Sequence, residues 1–253
     1  MIREETVFGP ISSRRLGNSL GINLMPVNGK LCNFDCIYCE CGWNRDGRGD
    51  TRLPSRDEVK EALENKLMEL SSSSTAIDSI TFSGDGEPTL HPDFPAIIDD
   101  TIELRDRYYA SAKISVLSNS TRIHVPEVLE ALKRIDNPIL KLDAVSLADA
   151  EKINLPAKGY DPSRTIKAME AFNGDFILQT MFLKSCGFDS SDPRLVNSWM
   201  EVVRRIKPRQ IMVYTVDRPT PQSDVEPFSE EYMKQLVKPL IDEGFDIIIK
   251  GKK

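Results

Sequence analysis

Short apolar runs alternate with longer amphipathic stretches along most of this chain. "SLGINLM", "DSITFS", "KISVLS", "PILKLDA", "DFILQTMFL" and "RQIMVYTV" are strand-like, and the last five begin near residues 78, 113, 138, 175 and 209. These intervals are the size of βα units, so the pattern predicts an α/β chain with a parallel sheet, a barrel or part of one built from six such units. Helical patterns fill the intervals, notably residues 55 to 70, 193 to 206 and 229 to 243, and Ser55 with Glu58 spells a capping box at the start of the first. "SSSST" at residues 71 to 75 reads as a helix-to-strand connection. A final run, "FDIIIKG", reads as a seventh strand or an edge piece. No linker divides the pattern, so the expectation is one domain over residues 1–253 with a C-terminal extension over about 229–253.

Composition narrows the class. With 253 residues, 40% apolar and 28% charged, the chain can bury a large core and is too polar for a membrane protein. No apolar run approaches the ~20 residues of a spanning helix, and "MIREETVFGP" lacks the apolar heart of a signal peptide, so a cytoplasmic protein without a membrane partner is expected. A net charge of −6 argues against a broad basic face for nucleic acid. Local groups such as Arg14-Arg15 and Lys250-Lys252-Lys253 read as a solvated pair and tail.

Of five cysteines, four fall in "LCNFDCIYCECGW": Cys32, Cys36, Cys39 and Cys41. They lie on a loop over about residues 26–45 that follows the first strand. In a reducing compartment such a cluster reads as metal binding or redox chemistry rather than as disulfides. Three thiolates at the Cys32, Cys36, Cys39 spacing suit an iron–sulfur cubane whose fourth iron stays open to a ligand. The competing reading is zinc, which prefers paired couples of ligands in a closed tetrahedron. Cys41 would complete such a set, but its one-residue gap from Cys39 is tight, and it reads as a bystander.

If the fold is a barrel, chemistry gathers at the carboxyl ends of the strands. "SGDGEPTLHPDF" follows the second strand: Gly84 and Gly86 let a ligand approach the main chain, Glu87 brings a carboxylate able to accept from an ammonium, and Asp85 stands between the glycines. The same letters also suit a plain strand-to-helix turn. Ser118 and Asn119 end the third strand, either as ligand contacts or as a cap or turn. On the fourth strand Lys141 and Asp143 share a face, aimed inward in a barrel either at a cofactor's carboxylate or ribose or at each other. Gln179 on the fifth strand is a neutral hydrogen-bonding group for a ribose or substrate. Cys186 follows that strand, as inert packing or as a hydrogen-atom donor or attachment point. Asp217 and Arg218 follow the sixth; Arg218 suits a substrate carboxylate or phosphate, or a salt bridge.

"CNFDCIYC", three cysteines in this spacing with an aromatic before the third, resembles the signature of the radical S-adenosylmethionine (SAM) superfamily, and the resemblance runs on through the next five strands. It implies a partial (βα)6 barrel and a [4Fe-4S] cluster on Cys32, Cys36 and Cys39. S-adenosylmethionine would chelate the open iron by its methionine amine and carboxylate. Reductive cleavage would then give a 5′-deoxyadenosyl radical that abstracts hydrogen from a substrate. Tyr38 would lie beside the adenine. Gly84, Asp85, Gly86 and Glu87 resemble the family's Gly-Gly-Glu-Pro motif, which holds the methionine amine, with Asp85 in place of the second glycine. "SSRRLGNSLGIN", "KLDA" and "YTVDRPTP" resemble iron–sulfur oxidoreductases related to the wyosine tRNA-base synthases, whose second cluster uses three cysteines ahead of the first motif; no cysteine precedes Cys32 here. The implied partners are S-adenosylmethionine, a reducing donor such as flavodoxin or ferredoxin, and a large substrate, RNA or polypeptide. An activase that puts a radical on a partner protein, and a non-catalytic metal-binding protein, are the alternatives.

Overall fold

In a computed structural model, residues 5–13, 16–47, 49 and 51–252 are described. They gather into two compact units. The first comprises the chain up to Cys32 with Asn44–Ser118 and Val125–Pro138; the second comprises Asn33–Trp43, Asn119–His124 and Ile139–Lys253. Arg14, Arg15 and Lys253 lie outside the described residues.

The first unit opens with an antiparallel hairpin, β1 (Val7–Ser13) and β2 (Gly17–Ile22). The hydrophobic pattern does not announce β1, because "VFGPISS" carries a Gly-Pro pair and exposes much of its length. β2 continues in parallel to β3 (Ser79–Phe82), and β3 to β4 (Lys113–Ser118). All four residues of β3 are buried, as expected of a parallel strand covered on both faces. Helices α1 (Arg56–Ser72), α2 (Phe94–Tyr108) and α3 (Pro126–Lys133) supply cover. The predicted capping box is present: Ser55 accepts from Glu58 N, and the Glu58 side chain accepts from Ser55 N. Val59, Leu63, Leu67 and Leu70 form the buried stripe of α1 at the three-to-four residue spacing of one helix face. Asp100 of α2, 5% exposed, clamps α1 through Arg56 at 2.6 Å and Lys60 at 3.0 Å.

In the second unit, Ile139–Lys141 of β5 (Asn137–Lys141) pair in parallel with β6 (Ile177–Met181), β6 with β9 (Gln210–Tyr214), and β9 with β11 (Ile247–Lys250). "FDIIIKG" therefore adds a parallel strand. A small antiparallel sheet of β7 (Leu183–Ser185), β8 (Phe188–Asp189) and β10 (Glu226–Pro227) lies outside the sequence reading, since two- and three-residue strands carry no periodicity. The helices are α4 (Leu147–Ile153), α5 (Pro162–Glu170), α6 (Pro193–Ile206), α7 (Glu230–Leu236) and α8 (Lys238–Asp242). On α6 the buried residues Val196, Trp199, Met200, Val203 and Ile206 recur at helical spacing, each contributing about 1.5–3 kcal/mol by burial. The single helix expected over 229–243 is two, because Pro239 has no N–H to continue the ladder. Among the described residues no helix is long and apolar enough to cross a membrane.

Candidate functional site

In the first unit, the residue before Cys32 is stitched to the glycine-rich loop. Leu31 N donates to Asp85 O at 3.1 Å and Glu87 N donates to Leu31 O at 3.0 Å, an isolated parallel bridge between Leu31 and Gly86. Gly86 has φ +151°, and a Cβ there would lie 1.8 Å from Leu31 O, so only glycine permits the ladder. At Gly84 a Cβ would lie 1.9 Å from Asn23 Oδ1, which itself accepts from Met25 N and Asp85 N at 3.1 and 3.0 Å. Both glycines are thus demanded by protein packing. Asp85 is fully buried with its backbone in the ladder. Glu87, 1% exposed, caps the single 3-10 turn Pro88–Leu90: its Oε1 accepts from Thr89 N at 3.1 Å, Thr89 Oγ1 at 2.5 Å and Ser118 Oγ at 2.8 Å. Ser118 serves this carboxylate rather than a helix end. Cys32, half-buried, has its carbonyl bonded by Asn44 Nδ2 at 3.1 Å.

In the second unit, the rest of the cysteine loop hangs on the end of α4: Asp35 N donates to Asn154 O at 2.9 Å and Ile37 N to Ile153 O at 3.0 Å. Cys39, half-buried, donates its N–H to Cys36 O at 3.1 Å, closing a turn that sets the two thiols. Asn154 Nδ2 donates to Asp143 Oδ2 at 2.8 Å and lies 3.2 Å from the Tyr38 hydroxyl and 3.4 Å from Cys36 Sγ. The Tyr38 hydroxyl also donates to Asp143, whose other oxygen accepts from Met181 N at 2.9 Å. Lys141 shares the inward face with Asp143, as the strand alternation predicts, at 3.9 Å; it also donates to the Tyr214 hydroxyl and stands over the rings of Tyr38 and Tyr214. Gln179 Oε1 accepts from that same hydroxyl at 3.4 Å, while its Nε2 is buried without a hydrogen-bond partner.

The electrostatics follow from burial. Burial, reinforced by the negative charge of Asp143 and by Cys39, pushes the Cys36 thiol up to about 12, against the pull of Lys141 and the Asn154 hydrogen bond. Burial and Asp143 also raise the Tyr38 hydroxyl, so it stays a donor. Burial works to lower Lys141, but Asp143 and Tyr214 outweigh it and hold the ammonium charged.

Other candidates lie elsewhere on this unit. Asn119 makes the turn foreseen for it, its Oδ1 accepting from Thr121 N at 3.0 Å, and its Nδ2 also reaches Asn33 Oδ1 at 2.7 Å. Arg218 takes the salt-bridge alternative, with Glu40 at 2.9 Å, and both are solvent-exposed; Asp217 is exposed beside it. Cys186 is exposed at the β7–β8 turn, its N–H donating to Asp224 at 2.6 Å. Sequence reasoning missed Asn154, Tyr214, Asn23 and Asn33. Tyr214 was within reach, since it shares a strand face with Met212 at the end of β9; a helix C-cap such as Asn154 leaves no spacing signal.

The donor set suits an iron–sulfur cluster with a polar organic ligand. Three cysteine sulfurs are the soft donors such clusters take. Among the described residues no three His, Cys, Asp or Glu side chains could hold a single metal ion. The unpartnered Gln179 amide is a buried donor that a ligand oxygen would satisfy.

The family model described as the Radical SAM superfamily matches residues 29–178, which include all three cysteines and the Gly84–Glu87 loop. A curated relative, the GTPase Obg of Brachyspira hyodysenteriae, is 29% identical over 94% of this chain and 34% of its own length. Among solved structures, SuiB of Streptococcus suis bound to S-adenosylmethionine superposes with TM-score 0.65 at 16% identity, covering 88% of this chain and 49% of SuiB. Archaeal TYW1 superposes with TM-score 0.52 at 13% identity, covering 90% and 72%. The chain thus spans about a third of the first and half of the second, and the structural likenesses show the α/β partial-barrel class of fold. Across more than half its length the sequence matches one family model, and the chain belongs to the Radical SAM superfamily.

Proposed function

We propose that this chain is a radical S-adenosylmethionine enzyme that abstracts hydrogen from a macromolecular substrate, a tRNA base or a polypeptide. The observation that carries this reading is the ladder joining Leu31 to Asp85, Gly86 and Glu87, which fastens the start of the three-cysteine loop to the glycine-rich loop that resembles the family's methionine-amine motif. Cys32, Cys36 and Cys39 would hold a [4Fe-4S] cluster, which would supply the electron for reductive cleavage of S-adenosylmethionine.

The protein's own part is binding and orientation. Glu87, held by Thr89 and Ser118, would accept the methionine amine beside the main chain of Gly84–Gly86. Lys141 keeps its charge for a carboxylate, and Gln179 offers its unpartnered amide to a ribose or substrate oxygen. Asp143 holds Tyr38, Asn154 and the Met181 N–H at once, so it acts as the post on which Tyr38 is positioned. The large-substrate reading is supported by SuiB having also been solved with its precursor peptide SuiA and by the likeness to TYW1. The donor of the electron would be a flavodoxin or ferredoxin.

Anaerobic reconstitution with iron and sulfide, then reduction with S-adenosylmethionine, tests the reading. Release of 5′-deoxyadenosine is expected; a reconstituted, reducible cluster that never yields it, with RNA or peptide present, overturns it.

A further inference from the structure

Eleven of the thirteen arginines among the described residues have a carboxylate within ion-pair distance. The two that lack one, Arg122 and Arg164, line the same cavity. It lies wholly in the second unit, has a volume of about 190 Å³, and also takes Lys158 and His124 into its wall. Its one carboxylate, Asp161, is already engaged as the N-cap of α5, accepting from Ser163 N at 2.9 Å and Ser163 Oγ at 2.7 Å. Those bonds, with a smaller contribution from the charge of Arg164, hold it below the usual carboxylate range, so a single carboxylate stands among Arg122, Arg164 and Lys158. An excess of cations over carboxylates in one concavity is unexpected in a chain of net charge −6.

A second observation is independent of the charge count. The Nε of Arg122 is buried without a hydrogen-bond partner. A guanidinium N–H without a partner carries the cost of its lost hydrogen bond, and the side chain that bears it belongs to the wall of this cavity. Guanidinium forks match the geometry of an oxyanion, and an ammonium and an imidazole complete a set suited to several oxygens on one centre. A cavity of this size is smaller than the ~300 Å³ at which pockets for whole drug-sized ligands begin. It suits one group of a ligand whose remainder extends outside.

We propose that this cavity is a phosphate subsite, receiving a phosphate monoester or diester of a ligand through Arg122, Arg164 and Lys158. Its wall includes Asn33, the residue after Cys32, whose carbonyl accepts from Ala157 N at 2.8 Å and whose amide donates to Thr121 at 2.6 Å. A phosphate held there is therefore anchored against the cysteine loop. That it positions substrate for the proposed radical chemistry rests on that reading; the binding itself does not.

The test is made on the full chain without reconstitution, by calorimetric titration and thermal melting with inorganic phosphate at constant ionic strength. Saturable binding with a rise in melting temperature is expected, weakened at least tenfold in the double variant Arg122→Gln/Arg164→Gln. Binding equal to that of chloride or acetate overturns the proposal, as does affinity unchanged in the double variant. Should that variant melt early without phosphate, Arg122→Lys/Arg164→Lys keeps the charge and removes the forks; it should bind several-fold more weakly, and unchanged affinity again overturns the proposal. Adenosine 5′-monophosphate, adenosine and a single-stranded oligoribonucleotide then separate the sources. Tighter, arginine-dependent binding of the mononucleotide over adenosine supports a small phosphorylated ligand, and of the oligonucleotide a nucleic-acid backbone. If neither phosphate-bearing probe binds better than adenosine, the proposal falls. Because no step depends on a cluster, its failure leaves the radical reading standing, and failure to form 5′-deoxyadenosine leaves the phosphate site standing.

Discussion

The side-chain amide of Asn154 lies 3.4 Å from Cys36 Sγ while holding Asp143 at 2.8 Å. One side chain at the end of α4 thus joins the sulfur of Cys36, a proposed cluster ligand, to the carboxylate that also binds Tyr38. A hydrogen bond to a ligating sulfur stabilises the more negative, reduced cluster and so raises its potential. Asn154→Ala should therefore leave iron content near that of the parent and move the midpoint potential to a more negative value. Redox titration followed by electron paramagnetic resonance reads this, and an unchanged potential would show that the contact does not tune the cluster.

The cysteines themselves should divide unequally. Cys36→Ala removes a thiolate from the three-cysteine set and should abolish iron and sulfide retention after anaerobic reconstitution, whereas Cys41→Ala should retain both. Metal and sulfide analysis with the visible absorbance band decides it. Loss of the cluster in the Cys41 variant would mean that the ligand set is wrongly drawn.

How far the sequence carried this picture depends on the range of the forces involved. The parallel strands, α1 with its capping box and α6 within its expected limits were legible because burial writes a period into the chain. That Lys141 and Asp143 share one face was legible for the same reason, since alternation puts both on the same side, while their approach to each other was only one of two readings. What Asp143 does with Tyr38 and Asn154 was not, because those partners are 105 and 11 residues away and no local pattern records them. The glycines Gly84 and Gly86 were flagged as room for a ligand, yet the atoms that exclude a Cβ there belong to Asn23 and Leu31. That neither Arg122 nor Arg164 has a carboxylate within ion-pair distance could not be seen at all: a missing ion pair is a property of three-dimensional surroundings.

Glu87 has two separable duties. As a cap, its Oε1 accepts three hydrogen bonds, a function Gln can retain through its carbonyl oxygen; as a proposed partner of the methionine ammonium it needs its charge. Glu87→Gln should keep stability within about 1 kcal/mol of the parent and weaken S-adenosylmethionine binding tenfold or more, while Glu87→Ala should also lose about 1–3 kcal/mol of stability. Denaturant melts alongside equilibrium binding to the reconstituted protein separate the effects. Full S-adenosylmethionine affinity in the Gln variant would confine Glu87 to its structural duty.

Asp100 makes stability depend on pH in a predictable direction. Its hydrogen bonds and charge pairing with Arg56 and Lys60 hold its carboxyl below the usual carboxylate range despite burial. A group depressed in this way contributes stability that is fully present above the unfolded value, about 3.9, and is lost as pH falls through the lower folded value. Arg56 and Lys60 are themselves well exposed, at 47% and 36%, so solvent weakens the pairing and a contribution of about 1–2 kcal/mol is expected. Asp100→Asn keeps the shape and an acceptor for Arg56 but removes the titrating charge. The stability difference between parent and variant should be constant from about pH 7 down to about pH 5 and close as the pH falls from about 4 toward the folded value. Urea denaturation at a series of pH values measures it, and a difference that persists undiminished at the acid end would show that the clamp acts through packing and not through charge.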